Sequence, residues 1–173
     1  MLSIKTEQEY TRIVELYADM IFRIAYQNLF HTSDAQDVVQ DVFLKLLQHG
    51  QQCFQDEEHL KAWLIRVTVN QCLDYRKSFF RSRTVSLESF DVPYEPKEHA
   101  VLEELYKLPQ DYRNILYLYY YEEYTIKEIA EILGKKQNTV NSKLTRGRRR
   151  LKKLMEGKHG ALLQTCTGQD QIG

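Results

Sequence analysis

Between positions 141 and 150 the chain sets Asn141, Ser142, Lys143, Thr145, Arg146, Arg148, Arg149 and Arg150 around the apolar residues Val140, Leu144 and Leu151. Amides and hydroxyls can exchange hydrogen bonds with base edges, and guanidinium and ammonium groups neutralise phosphate. That chemistry needs the side chains on one rod narrow enough for a major groove, with a second helix bracing it. The stretch 125–155, TIKEIAEILGKKQNTVNSKLTRGRRRLKKLM, supplies both. Thr125 with Glu128 predicts a capping box. Ile126, Ile129, Ala130 and Leu133 then recur on one helical stripe, and Gly134 offers a stop where positive φ is cheap. Val140, Leu144, Leu151, Leu154 and Met155 are spaced to turn a second helix toward a core. Two helices joined through a glycine-containing turn, the second rich in polar and cationic residues, form the helix-turn-helix pattern.

Charge agrees. Residues 135–158 carry ten Lys or Arg against Glu156 alone, whereas residues 98–134 carry eight acids against three bases. The 173-residue chain is formally neutral, so any attraction to nucleic acid must come from this one segment. A solvated basic helix on a bundle would account for the charge but not for the cap and turn that accompany it.

The remaining composition excludes other chemistries. Cys53, Cys72 and Cys166 are an odd number, widely spaced and without a CxxC, which points to a reducing compartment and no structural metal. The five histidines are scattered, and no cofactor is expected. No apolar run approaches a membrane span, and MLSIKTEQEY has neither the basic lead nor the apolar core of a signal peptide. A cytoplasmic protein is expected. No nucleophile–base pair, ligand cluster or phosphate-cradling glycine loop suggests an enzyme.

The elements that must position these groups read as helices throughout. Residues 7–30 repeat Ile13, Leu16, Tyr17, Met20, Ile21, Ile24 and Ala25 at three and four. His31-Thr32-Ser33-Asp34 breaks that run and offers several caps. Residues 34–49 then align Ala35, Val38, Val39, Val42, Phe43, Leu46 and Leu47, with Asp37, Gln40 and Asp41 on the other face. After a loop over 50–58, a third helix covers 60–80 and projects Arg66, Asn70, Arg76 and Lys77. Two of the three prolines fall in 81–97, where the period dissolves into a linker. Helical order resumes near Ala100, halts at Leu108-Pro109 and restarts at Asp111 with Ile115, Leu116, Leu118 and Tyr119. The tyrosines of 117–124 read as packing and interface. The tail 158–173 has little periodicity and is expected to be disordered. The fold class is all-α, with one domain over 1–80 and a helix-turn-helix domain over 98–157.

Three segments in this order resemble the sigma-70 family of transcription initiation factors. DAQDVVQDVF at 34–43 is similar to its core-polymerase-binding segment, KAWLIRVTVN at 61–70 to its −10 recognition segment, and LPQDYR at 108–113 with the helix-turn-helix to its −35 reader. With only these domains and a short linker, the chain resembles the extracytoplasmic-function group over about residues 7–157. The resemblance implies that Asp37, Gln40 and Asp41 meet the β′ coiled coil of core RNA polymerase, with the β flap as a further contact. It implies that Phe54, Arg66, Asn70, Arg76 and Lys77 handle the −10 strand. A base flipped from that strand can stack on an aromatic ring. For Phe54 a place in the core is the alternative, and Trp63 reads as a core anchor. Asn141, Ser142, Lys143, Thr145, Arg146 and Arg149 would contact the −35 duplex. Promoter DNA and an anti-sigma factor are the other implied partners.

Two departures matter. Glu123 stands where the family commonly has glycine, so a differently built turn is expected. Lys135 and Lys136 replace an apolar residue and a serine, leaving the recognition helix without a good side-chain cap. A rival reading, a helix-turn-helix regulator binding an operator independently of polymerase, leaves the Asp37/Gln40/Asp41 face and the Trp63 helix without a purpose.

Overall fold

A computed structural model describes residues 4, 6–49, 54–82 and 104–166 of the chain. Every regular element among them is an α-helix. The chain divides into two compact units, Met1–Val92 and Pro93–Gly173. Residues 83–97 of the expected linker, and 167–173 of the expected tail, lie outside the described residues.

The first unit packs three helices pairwise: α1 (Glu7–Leu29), α2 (Thr32–His49) and α3 (Glu57–Ser82). Thr6 opens α1 through a capping box, its Oγ1 accepting from the Glu9 amide at 3.2 Å while Glu9 Oε2 accepts from the Thr6 amide at 3.0 Å. The helix ends on Phe30 at φ 58°, whose N–H donates to the Tyr26 carbonyl. Between the helices lie Ile21, Ile24, Val38, Leu46, Leu64 and Ile65, all fully buried. Removing each such side chain from water contributes about 1.5–3 kcal/mol. Leu16 and Leu47, expected in the buried stripes, are exposed instead. Each sits roughly 100–120° round its helix from the stripe's centre, beyond the reach of two neighbours.

The second unit is built from α4 (Gln110–Tyr120), α5 (Ile126–Leu133) and α6 (Gln137–Cys166). Ile115, Leu116, Leu118, Ile129, Ile132, Val140 and Leu144 form its core. Residues 104–106 precede α4 in helical conformation, and the buried Arg113 donates to the carbonyls of Tyr106 and Leu108, tying that segment to α4. The Thr125–Glu128 capping box forms as expected, and Gly134 ends α5 at φ 61°.

Before that cap the chain turns through Glu123 at φ 59°. Glu123 thus holds the left-handed backbone that glycine adopts more freely. Gly147 has another purpose. A Cβ there would lie 3.2 Å from Leu116 Cδ1 and 3.3 Å from Tyr112 Cδ1, so α4 and α6 touch where α6 has no side chain. The last helix also corrects an expectation, because it continues past Gly157 to Cys166, whereas helical order was expected to stop there. Gly157 and Gly160 interrupt the apolar period without ending the hydrogen-bonded backbone.

Candidate nucleic-acid interface

The second unit holds α6 against α4 and α5 by Val140, Leu144 and Gly147. At roughly 100° per residue, Asn138, Ser142, Thr145, Arg146 and Arg149 fall on the opposite side, and all five are exposed. This face can present amide, hydroxyl and guanidinium groups to a groove. Asn138 escaped the sequence reading. It lies one turn before Ser142, in the part of a recognition helix that enters the groove first.

Neighbouring basic residues are engaged within the unit. The Arg148 guanidinium lies 5.0 Å from the Tyr119 ring centroid and 5.3 Å from that of Tyr120. Arg150 lies 5.0 Å from that of Tyr112. Each such cation–π contact contributes about 0.5–1 kcal/mol at an exposed site. The tyrosines therefore orient the flanking arginines, while Arg149 between them faces solvent.

Lys143 is the member of the expected set that the structure turns elsewhere. Its ammonium donates to Asp111 in the first turn of α4, and Lys135, in the turn before α6, lies 3.7 Å from the same carboxylate oxygen. Partial burial alone would raise the Asp111 pKa. The hydrogen bond from Lys143 and the charges of Lys135 and Lys143 outweigh that and hold it below its ordinary value. Asn141 is exposed on the opposite flank of α6.

In the first unit, Asp37 and Gln40 are exposed on α2, while Asp41 is half-buried. Asp41 Oδ2 accepts from the Gln71 side-chain amide of α3 at 2.9 Å, and the Lys45 ammonium donates to the other end of that amide. Nearby, the Tyr75 hydroxyl donates to Asp34 Oδ1 at 2.8 Å. Burial, followed by that bond to Asp34 and the surrounding carboxylates, pushes the Tyr75 phenol up to about 12. The acidic face is thus laced to α3 by Gln71, a partner thirty positions away that no local pattern marks.

Along α3 itself, Arg66, Asn70, Leu73 and Lys77 recur on one exposed stripe, with Arg76 half-buried beside it. Lys77 lies 3.5 Å from Asp74. Phe54 is not displayed with them. Only 4% of it is exposed, and its ring meets those of Trp63 and His59 edge-on. Its ring is packed in the core, the alternative place that the sequence left open for it. Just before and at the start of α3, Asp56 Oδ1 accepts from the His59 amide at 2.7 Å and Glu57 pairs with Arg12 at 3.2 Å.

Among the described residues no group of side chains could hold a metal ion, and no helix is long and apolar enough to cross a membrane. Two helical modules, one carrying a cationic helix-turn-helix and the other an acidic face beside a polar stripe, define an all-α helix-turn-helix protein.

Comparison with known proteins places this class. Residues 13–83 match the family Sigma-70 region 2, and residues 98–151 match Sigma-70, region 4. The chain is 30% identical over 136 residues to the RNA polymerase sigma factor SigZ of Bacillus subtilis, covering 72% of this chain and 74% of that one. It is 26% identical over 167 residues to the ECF RNA polymerase sigma factor SigW of the same organism, covering 85% and 89%. A structure of the sigma factor RpoE in complex with the anti-sigma factor NepR, from Bartonella quintana, shares the fold. Its TM-score is 0.73 and its identity 24%, over 86% of this chain and 98% of that one. The chain belongs to the sigma-70 family, in the extracytoplasmic-function group, and is a sigma factor.

Proposed function

We propose that this sigma factor docks on core RNA polymerase through the α2 face of Asp37, Gln40 and Asp41. The Arg66–Asn70–Lys77 stripe of α3, with Arg76, then contacts the −10 strand. The exposed side of α6 reads the −35 duplex through Asn141, Ser142, Thr145 and Arg146, with Arg149 on phosphate. Core polymerase, with its β′ coiled coil and β flap, promoter DNA and an anti-sigma factor are its partners. The chain makes no phosphodiester bond itself; polymerase does so, in the cytoplasm.

The observation that carries this reading is the presence of both modules on one chain, one with an acidic α2 face and a polar α3 stripe, the other with a polar and cationic exposed face on α6. An operator-binding regulator would need the second module alone. The anti-sigma partner is supported by the neighbouring fold having been captured with one.

The test is run-off transcription by sigma-free core polymerase supplemented with the purified chain, scanned across genomic fragments. Discrete transcripts starting a fixed distance from paired −10 and −35 elements are expected. No start at any fragment, with the chain intact and no inhibitor present, rejects the proposal.

A further inference from the structure

The Asp111 carboxylate stands at the meeting point of all three helices of the second unit. It projects from the first turn of α4, accepts from Lys143 on the flank of α6, and lies 3.7 Å from Lys135 in the turn that leads out of α5. All three side chains are partly covered, with 46% of the Asp111 side chain exposed, 25% of Lys143 and 31% of Lys135. Two cations converge on one anion, so the cluster retains an excess positive charge. Both ammonium groups are nevertheless directed at α4 and away from the exposed face of α6.

Resting on the sigma-factor reading, we propose that Asp111 is a positioning and specificity residue for −35 recognition. By clamping Lys135 and Lys143 it fixes how α6 stands on α4, and it keeps two mobile cations from gripping any phosphate they meet. Lys143 is then an internal anchor and not a reader of bases. The balance matters because phosphate contacts bind all sequences alike, whereas base contacts discriminate. A −35 reader gains discrimination when cations that would serve only the first kind of contact are held internally.

The test uses full-length chain assembled with core polymerase. The probes are a promoter fragment recovered from the run-off scan and the same fragment with its −35 element scrambled. Asp111→Asn should cut the preference for the intact fragment at least about five-fold. It should also steepen the fall of affinity with salt, by about 0.9 in log–log slope for each released cation that finds a phosphate. Lys143→Ala should lower the preference to a similar extent with less steepening. The double variant should be no worse than either single change, as for two ends of one contact. Asp111→Glu, which keeps the charge, should restore most of the preference.

An unchanged preference and slope for Asp111→Asn, with its urea unfolding midpoint retained, would overturn the proposal. So would additive losses in the double variant, or a Lys143→Ala loss confined to one base pair of the element. If wild-type holoenzyme itself cannot tell the two fragments apart, the sigma-factor reading fails and takes this inference with it, an outcome distinct from the others.

Discussion

The ring of Phe54 meets that of Trp63 edge-on, with centroids 5.7 Å apart. Edge-to-face pairs of this kind add to the burial of two large apolar surfaces. Phe54→Ala should therefore destabilise the first unit by about 3–5 kcal/mol, read as a lower urea midpoint, and Phe54→Leu by much less. A Phe54→Ala chain with an unaltered midpoint and impaired promoter melting would return the ring to a stacking role.

Glu123 holds a left-handed backbone with a side chain that disfavours it. Glu123→Gly should raise the stability of the second unit by about 0.5–1 kcal/mol, since the strain relieved exceeds the extra freedom glycine gains when unfolded. Thermal unfolding of the full chain checks this. A lower midpoint would mean that the glutamate makes a contact outweighing the strain.

Arg146 and Arg149 share the exposed face of α6 but should fail differently. Arg146→Ala should cost about 1–3 kcal/mol on the cognate −35 element and relax its sequence. Arg149→Ala should weaken cognate and random duplex alike and lower the salt slope by about 1. Holoenzyme binding at several salt concentrations separates the two, and equal losses on both duplexes for Arg146→Ala would deny it a base.

Two carboxyls of the second unit titrate below their ordinary values. Hydrogen bonds from Thr125 hold Glu128 down, and Asp111 is held by its lysines. Each is easier to protonate unfolded than folded. Their contribution is therefore complete above the ordinary carboxylate range, about pH 4, and is lost as pH falls through the depressed values. Stability should decline from about pH 5 downward. The double variant Asp111→Asn, Glu128→Gln should show a shallower decline in urea titrations at a series of pH values, and an identical slope would refute the assignment.

Where the signal was local, the sequence was sufficient. The all-helical class, the Thr125–Glu128 cap and the Gly134 stop rest on spacings of three or four residues, and each appears in the structure. Leu16 and Leu47 misled because periodicity marks the centre of a stripe better than its edge. Contacts between distant segments were out of reach. Nothing near Gln71 announces Asp41, nothing near Lys143 announces Asp111, and Tyr119 gives no hint of Arg148. The candidate face of α6 was thus legible as a set of residue types. Which of its cations remain available depends on partners tens of positions away.

Gly147 makes that dependence mechanical. Where α4 and α6 touch, one surface is bare backbone, so no rotamer on the α6 side can yield when the other side presses. A methyl group at this position would suit an isolated helix better, yet it would require Leu116 or Tyr112 to give way by a few tenths of an ångström. The fit between α4 and α6 at this point is thus set wholly by Leu116 and Tyr112 on the α4 side.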